Sequence, residues 1–183
     1  NAADAKVREG GAYATITKFP YVLGRDFSGV VAALGKGVTD LKVGDAVFGV
    51  LAGGHEGTYA EKVAEKAAIV ARKPDSLSHV DAAALSLTGL TALVSIEDTI
   101  KLKAGETILI QGGAGGVAGF AIQLAKLIGA RVITTASPNN HAYVKGLGAD
   151  QVIDYSREDF TKVVKDVDAV FETVGGDVAM RSF

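Results

Sequence analysis

The spacing of apolar and polar positions divides the chain into two parts. In the first part, short apolar runs alternate with glycine-containing turns, a spacing typical of the strands of a β-rich domain. The predicted strands are Asp26–Leu34, Ala46–Leu51, Thr58–Val63 and Ala67–Arg72. The pattern favours a compact sandwich or barrel for this part of the chain.

A helix is predicted between the two parts. Ser78, followed three residues later by Asp81, is typical of a helix start, because such side chains accept hydrogen bonds from open backbone N–H groups. The residues that follow, Ala82–Thr99, have a helical pattern, with a break predicted near Gly89.

From Glu106 onward, short apolar strands alternate with helices. The predicted strands are Thr107–Gln111, Arg131–Thr135, Gln151–Ile153 and Asp168–Thr173. The predicted helices are Val117–Ile128, Pro138–Gly146 and Arg157–Val164. This alternation indicates βαβ units, so the predicted fold class is α/β with a doubly wound parallel sheet.

A glycine-rich turn joins the first of these strands to the first helix. It follows the pattern G-x-G-x-x-A from Gly113 to Ala118. Small residues let the backbone approach a pyrophosphate, and the start of a helix offers N–H groups to it. Because the motif follows a strand and opens a helix, we predict that Gly113, Gly115, Gly116 and Val117 bind a dinucleotide. The alternative is a tight packing turn without a ligand.

The residues after this turn indicate which dinucleotide is bound. An NAD site places an acidic residue about 20 positions further on, where it binds the ribose 2′-hydroxyl group. No acidic residue occurs from Thr107 to Ala149. Ser137, Lys145 and Tyr155 would instead accept a 2′-phosphate, which predicts NADP(H) rather than NAD(H). Lys145 taken alone also fits a solvated helix residue.

Composition excludes several classes of protein. The 183 residues are 48% hydrophobic and 22% charged, with a net charge of −2, which excludes a disordered chain. The absence of cysteine excludes a disulfide scaffold, a thiol nucleophile and a cysteine-ligated metal. The sequence has no basic run and no apolar run of about 18 residues, so we expect no nucleic-acid or membrane partner. We find no signal-peptide pattern and expect a cytoplasmic protein.

The two ends of the sequence suggest a longer protein. The chain begins at Asn1 without methionine and stops at Phe183, soon after a glycine pair. The parallel-sheet part has four predicted strands, whereas the full doubly wound pattern has six. We therefore expect that segments are missing at both ends.

Seven segments, taken in chain order, resemble those of a known family. They are NAAD, YVLGRDFSGVVAALGKGVTDLKVGDAVFG, GTYAEKV, AAALSLTGLTA, GETILIQGGAGGVAGFAIQLAKLIGARVITTAS, LGADQVIDY and FETVGG. Together they resemble the medium-chain dehydrogenase/reductase superfamily, and within it the zinc-independent quinone oxidoreductase, or zeta-crystallin-like, group. The resemblance extends over essentially the whole chain.

The resemblance implies two partial domains and further cofactor contacts. A GroES-like β-rich catalytic domain would occupy residues 1–77, and an NADP-binding Rossmann domain residues 78–183. Thr91 would lie near the nicotinamide, and Val174 and Gly175 would border the nicotinamide side of the cofactor.

The same resemblance suggests catalytic residues, which we predict to be Asn1, Asp4 and Arg25. Asn1 and Asp4 would face the substrate. Tyr13 and Tyr59 are further candidates for supplying a proton or stabilising an oxyanion, although both also fit the role of packing aromatic residues.

The segment Gly54-His55-Glu56-Gly57 spells a motif that carries a catalytic zinc ligand in related alcohol dehydrogenases. In the group that this chain resembles, the corresponding place is Gly24-Arg25-Asp26, and arginine has no free lone pair for a metal. A catalytic zinc also needs three protein ligands, and the usual cysteines are absent. We therefore predict no metal.

These observations lead to one expected reaction and two alternatives. We expect NADPH to transfer a hydride to a quinone or to the β-carbon of an α,β-unsaturated carbonyl compound. The first alternative is the enoyl-thioester reductase part of a larger synthase. The second is an NADPH-binding module without turnover. We also expect a homodimer.

Overall fold

The structure is a computed structural model that describes residues 1–10, 20–52 and 57–183. The chain forms two compact units, Asn1–Leu87 and Thr88–Phe183. The domain boundary predicted between residues 77 and 78 precedes the helix that contains Leu87, and it stays a prediction.

The first unit contains an antiparallel sheet, as the short apolar runs predict. Its described elements are α1 (Ala2–Arg8), β1 (Asp26–Val30), β2 (Ala46–Val50), a turn of 3₁₀ helix (Ala67–Ile69) and β3 (Val70–Arg72). The strands pair in the order β1-β2-β3, with Ser28 opposite Phe48 and Val47 opposite Arg72. The β-rich character of this part of the chain is confirmed.

The predicted strand Thr58–Val63 is wrong. The N–H of Thr58 donates to the backbone oxygen of Gly24 at 3.1 Å, and the N–H of Tyr59 donates to that of Leu23 at 2.9 Å. These backbone groups are therefore bonded to the residues that precede β1. The segment accordingly lies against that turn and adds no strand to the sheet.

Several other predicted elements are shorter in the structure. Of the predicted strand Ala67–Arg72, only Val70–Arg72 is a strand, because Ala67–Ile69 forms a turn of 3₁₀ helix. The strand that begins at Asp26 ends at Val30, and the pairing beyond it is limited to the backbone bonds of Val31 with Asp45 at 3.0 Å and with Gly44 at 2.9 Å. The predicted helix Arg157–Val164 is reduced to α5 (Phe160–Val163). The side chain of Asp159 accepts from the N–H of Thr161 at 3.1 Å and so starts the helix later than predicted.

The helix between the two parts begins where the sequence predicts. The Oγ atom of Ser78 accepts from the N–H of Asp81 at 3.1 Å. Helix α2 (His79–Leu93) continues as a stretch of π-helix (Val94–Ile100). The helix ends at Lys101, which has a left-handed backbone conformation with φ of 58°.

The predicted break near Gly89 is wrong, because α2 runs through this residue. A glycine inside a helix costs only about 1 kcal/mol relative to alanine. Further along, Ala92 and Ile96 are fully buried against the core of the second unit. This burial offsets the cost and keeps the helix continuous.

The helix from His79 to Ile100 is also long and apolar. Its 22 residues, with a mean hydropathy of 1.4 over an 18-residue stretch, would suffice by length and composition to cross a membrane. Core helices of water-soluble proteins meet the same criterion, and the buried Ala92 and Ile96 pack in a protein core. The expectation of no membrane partner stays a prediction.

The second unit is a parallel sheet with helices between its strands. Its elements are β4 (Thr107–Ile110), α3 (Gly116–Ile128), β5 (Arg131–Ala136), a turn of 3₁₀ helix (Pro138–Asn140), α4 (His141–Gly146), β6 (Gln151–Asp154), α5 (Phe160–Val163), β7 (Ala169–Phe171) and α6 (Gly176–Arg181). The strands lie in the order β6-β5-β4-β7, and every pair is parallel. The four predicted strands and the doubly wound α/β fold are confirmed.

Both faces of this sheet are covered, because successive side chains of a strand point to opposite faces. Ile108 and Ile110 are fully buried on the face that packs against α3, where they meet Ile122. Leu109, between them, packs on the other face in a second cluster with Phe160 of α5. This explains why β4 is apolar at consecutive positions.

Candidate cofactor site

The glycine-rich turn lies tightly against β5. The N–H of Gly113 donates to the backbone oxygen of Thr135 at 2.9 Å, and the N–H of Gly112 donates to the Oγ1 of Thr135 at 3.0 Å. A Cβ atom on Gly113 would lie 2.2 Å from the Oγ1 of Thr134. A side chain at Gly113 would therefore fit only if the buried Thr134 side chain shifted.

Helix α3 begins directly at this turn with open backbone donors. Its first i to i−4 hydrogen bond joins the N–H of Gly119 to the oxygen of Gly115, at 2.8 Å. The N–H groups of Gly116, Val117 and Ala118 precede this bond and have no partner within the helix. Such a helix start, with no side chain at Gly115 or Gly116 in the way, suits a pyrophosphate.

A pocket of about 540 Å³ opens where the parallel strands end. It is lined by Gln111, Gly112, Ala114, Thr135, Ala136, Ser137, Asn140, Tyr155, Glu158, Asp159, Phe160, Val174, Val178 and Arg181. These residues follow or end β4, β5, β6 and β7, or belong to α5 and α6. In open α/β sheets, ligands bind in the crevice outside the carboxyl ends of the strands, so this pocket is the candidate cofactor site.

The structure brings several of the predicted residues to this pocket. Ser137, Tyr155 and Val174 line it directly. The glycine-rich turn contributes Gly112 and Ala114, which immediately precede and follow Gly113 in the chain. The turn, the end of β5 and the end of β6 therefore share one cavity, as a dinucleotide site requires.

Seven predicted cofactor residues lie outside the pocket lining: Gly113, Gly115, Gly116 and Val117 of the turn, and Thr91, Lys145 and Gly175. Lys145 lies on the exposed side of α4, and Thr91 is exposed on α2. Gly175, with φ of 84°, adjoins Val174, and its N–H donates to the carboxylate of Glu172 at 2.9 Å. The cofactor-binding roles of all ten predicted residues, in the pocket lining and outside it, stay predictions.

Sequence reasoning missed several residues of the pocket, notably Gln111, Thr135, Asn140, Phe160 and Arg181. Gln111 could have been found, because it is a polar residue directly after the apolar end of β4, and Thr135 lies near the carboxyl end of β5. No local pattern marks Phe160 or Arg181, which the packing of α5 and α6 brings to the site.

Arg181 carries a positive charge in the pocket wall. Its guanidinium group pairs with the carboxylate of Asp159 and lies 5.2 Å from the centre of the Phe160 ring. The pKa of Asp159 is held below its usual value, mainly by the hydrogen bond from the Thr161 side chain, with Arg181 adding to the effect. Asp159 therefore stays ionised beside Arg181.

The acid at the end of β6 is bonded within its own turn. Asp154 is buried, and its carboxylate accepts from the N–H and the hydroxyl of Ser156, at 3.0 Å and 2.6 Å. The hydrogen bond from the Ser156 side chain is the main cause that lowers the pKa of Asp154. At the end of β5, where an NAD site carries its acid, Ser137 instead accepts from the side-chain amide of Asn140 at 3.1 Å.

The predicted catalytic residues of the first unit are bonded to its own framework. Asp4 is buried, and its Oδ1 accepts from the N–H of Gly24 at 2.8 Å. The side-chain amide of Asn1 donates to the carboxylate of Asp26. Both contacts hold the segment that leads into β1.

Arg25 is anchored in the same region. Its Nη2 donates to the backbone oxygen of Leu51 at 2.9 Å, while its buried Nε has no hydrogen-bond partner among the described residues. Tyr59 is largely exposed. Tyr13 and His55 lie outside the described residues. The catalytic roles proposed for this unit stay predictions.

Comparison with known families now places the chain. Residues 1–75 match the family described as alcohol dehydrogenase GroES-like domain, and residues 116–183 match the family described as zinc-binding dehydrogenase. The quinone oxidoreductase from Coxiella burnetii is 43% identical and superimposes over the whole chain with a TM-score of 0.93. The chain belongs to the quinone oxidoreductase group of the medium-chain dehydrogenase/reductase superfamily. The resemblance found in the sequence is confirmed.

Two further relatives are informative. The 2-methylene-furan-3-one reductase of Solanum lycopersicum is 40% identical over 99% of this chain. The Escherichia coli quinone oxidoreductase, solved in complex with NADPH, is 32% identical, with a TM-score of 0.89 over the whole chain. The chain spans 49% of the tomato protein, 57% of the E. coli chain and 59% of the Coxiella chain.

The name of one matched family implies zinc, but the described residues of this chain bring together no set of donors for it. The 183 residues include no cysteine. Across residues 1–10, 20–52 and 57–183, no three histidine, aspartate or glutamate side chains lie close enough together to hold a metal ion. The prediction that the protein binds no metal stays a prediction, since His55 and Glu56 lie outside the described residues.

Proposed function

We propose that the full-length protein is an NADPH-dependent oxidoreductase that transfers a hydride to a quinone or an α,β-unsaturated carbonyl compound. The observation that carries the proposal is the turn at Gly113, where a Cβ atom would lie 2.2 Å from Thr134. The turn therefore exposes backbone without side chains next to the unpaired N–H groups at the start of α3, at the edge of the pocket. Bound NADPH supplies the hydride, and the protein binds and orients it.

NADPH is favoured over NADH by the absence of an acidic residue at the end of β5. Ser137 stands where an NAD site carries a carboxylate, and its neighbours Asn140 and Tyr155 offer polar groups to the same pocket. Nothing acidic on the strand-to-helix connection after β5 would repel a 2′-phosphate. The NADPH complex of the E. coli relative supports the same choice.

The relatives support the two substrate classes. The Coxiella and E. coli proteins are named quinone oxidoreductases, and the tomato protein is named a 2-methylene-furan-3-one reductase. Quinones and unsaturated ketones share an electron-poor conjugated system. Such a system accepts a hydride without the metal ion that an alcohol substrate would need for its activation. We propose that catalysis needs no zinc, because the chain lacks the cysteines of the usual zinc site and has Arg25 before the strand β1.

The decisive experiment is a stopped-flow measurement of NADPH oxidation by the full-length protein. The acceptors are 1,4-benzoquinone, a series of enones and a series of enoyl-thioesters, each also measured with NADH. Turnover with quinones or enones, and with NADPH preferred, is the expected result. Turnover confined to enoyl-thioesters would favour a synthase reductase, and tight NADPH binding without any turnover would favour a binding module.

Three parallel measurements complete the test. Elemental analysis of the purified full-length protein is expected to find less than stoichiometric zinc, and a stoichiometric amount would contradict the zinc-free proposal. The homodimer stays a prediction that light scattering checks. The cytoplasmic location stays a prediction that cell fractionation checks.

A further inference from the structure

A directed series of hydrogen bonds connects the glycine-rich turn to helix α6. The N–H of Gly112 donates to the Oγ1 of Thr135 at 3.0 Å, and that hydroxyl donates to the Oε1 of Gln111 at 2.7 Å. The Nε2 of Gln111 donates to the Oγ of Ser182 at 3.1 Å. The hydroxyl of Ser182 in turn donates to the backbone oxygen of Val178 at 2.7 Å.

The two central side chains of this series are buried. Gln111 is 1% exposed and Thr135 is 4% exposed. The amide of Gln111 uses its oxygen toward Thr135 and its nitrogen toward Ser182, so its orientation is set by both partners. Bonds arranged head to tail strengthen one another where water is excluded. Removing one member would leave a buried polar group without a partner.

The series joins two walls of the pocket. Gly112 belongs to the wall that the glycine-rich turn forms, and Val178 belongs to the wall that α6 forms. Gln111 and Thr135 lie between them, at the ends of β4 and β5. A substitution of Gln111 or Thr135 is therefore expected to change the distance between the two walls and the conformation of the turn.

We propose that Gln111 and Thr135 are positioning residues for the dinucleotide. Thr135 fixes the backbone of Gly112, and Gln111 transmits the same restraint to α6 through Ser182. This inference rests on the proposed function, since it assumes that the cofactor occupies this pocket. Under this proposal the two uncharged side chains contribute to the affinity for the dinucleotide. Their burial alone would imply only a contribution to the stability of the fold.

The test measures the NADPH dissociation constant and the steady-state kinetics of the full-length protein. Thr135→Val and Gln111→Leu keep the size of each side chain but remove its hydrogen bonds. Each is expected to raise the dissociation constant and the KM for NADPH about tenfold, the size of effect expected when a buried donor or acceptor loses its partner. kcat at saturating NADPH should change far less than KM.

Two further variants separate positioning from stability. Thr135→Ser keeps the hydroxyl group and should restore NADPH binding to near the wild-type value. Ser86→Ala removes a buried hydroxyl that bonds to Ala82 inside α2, so it should affect the melting temperature without affecting the KM for NADPH. Failure of the serine variant to restore binding would overturn the role of the Thr135 hydroxyl.

The outcomes distinguish this inference from the function on which it rests. If the wild-type protein does not bind NADPH, the proposed function fails and the inference fails with it. If the wild type binds NADPH and Thr135→Val and Gln111→Leu bind equally well, only the positioning role is overturned. Should both variants fail to fold, Ser182→Ala decides, because loss of this outer link is expected to weaken NADPH binding severalfold and unchanged binding would refute the connection.

Discussion

The ammonium group of Lys126 lies 2.8 Å from the carboxylate of Asp150, and this pair joins α3 to the turn before β6. The same carboxylate accepts from the N–H of Val132 at 2.7 Å. Burial raises the pKa of Asp150, but the bonds from Lys126 and Val132 outweigh it and hold the pKa below its usual value. The carboxylate therefore favours the folded state while it is ionised.

The sign of the resulting pH dependence follows from the lowered pKa. The contribution of Asp150 is fully present above the pKa of the unfolded chain, about 3.9 for aspartate, and is lost as pH falls through the lower pKa of the folded state. We expect Asp150→Asn to lower the melting temperature near neutral pH and to have a shrinking effect in acid. Thermal unfolding over a pH series checks this. Asp98→Asn, at an exposed position, is the matched control, and an Asp150→Asn effect that does not vary with pH would contradict the prediction.

The glycine-rich turn predicts a contrast between two glycine-to-alanine variants. At Gly113 the added Cβ would lie 2.2 Å from the Oγ1 of Thr134, whereas at Gly146 it would meet nothing within 4 Å. Gly113→Ala is expected to destabilise the protein by about 1–3 kcal/mol through overpacking and to weaken NADPH binding. Gly146→Ala should leave NADPH binding unchanged. Calorimetric titration with NADPH and chemical unfolding measure both effects, and equal behaviour of the two variants would show that the turn tolerates a side chain.

The buried face of α3 predicts where the second unit gains stability. Ile122 is fully buried, whereas Leu127 on the same helix is 85% exposed. Ile122→Ala should therefore cost about 2–5 kcal/mol of the free energy of unfolding, since it removes buried methylene groups and leaves a cavity. Leu127→Ala should cost little. Urea unfolding followed by circular dichroism makes the comparison, and similar losses for both variants would be inconsistent with the described packing.

Ser137 provides a direct test of cofactor choice. A carboxylate placed there by Ser137→Glu would repel the 2′-phosphate of NADPH and accept a hydrogen bond from the ribose of NADH. We expect the ratio of kcat/KM for NADPH to that for NADH to fall at least about tenfold, because a charge is placed against a phosphate. Ser137→Gln has the same length without the charge and should change the ratio far less. If both variants change it equally, size and not charge sets the preference.

Lys145 and Tyr155 test the remainder of the predicted phosphate site. The double variant Lys145→Ala, Tyr155→Phe is expected to lose much of its selectivity for NADPH over NADH. The two single variants show how this loss is divided, because Tyr155 lines the pocket and Lys145 does not. Steady-state kinetics with both cofactors give the answer. Selectivity equal to that of the wild type in the double variant would remove both residues from the site.

The second unit was the more predictable part of the chain. The apolar runs that became β4 to β7 are bounded by helices, and alternation of this kind specifies a parallel sheet. The first unit was less predictable, since Thr58–Val63 has strand-like composition but its backbone bonds to residues far earlier in the sequence. The helix through Gly89 was unpredictable for a similar reason, because its continuity depends on the burial of Ala92 and Ile96, which the local sequence does not show.

The pocket shows what sequence can and cannot supply about a site. The glycine-rich turn, Ser137 and Tyr155 could be found because they follow predicted strands at a known place. Arg181 and Phe160 could not, because they reach the pocket only through the packing of α5 and α6. Lys145 lies outside the pocket lining, and its role in binding the 2′-phosphate stays a prediction.

The position of β4 has a consequence for how the molecule is made. This strand pairs with β5 soon after it in the chain, but its other partner is β7, where Leu109 is paired with Val170. Because β7 is synthesised well after β4, one edge of β4 stays unpaired during part of the synthesis of the chain. Val174, Val178 and Arg181, which also line the pocket, are synthesised later still. The pocket proposed for NADPH can therefore form only after the chain has been synthesised through α6.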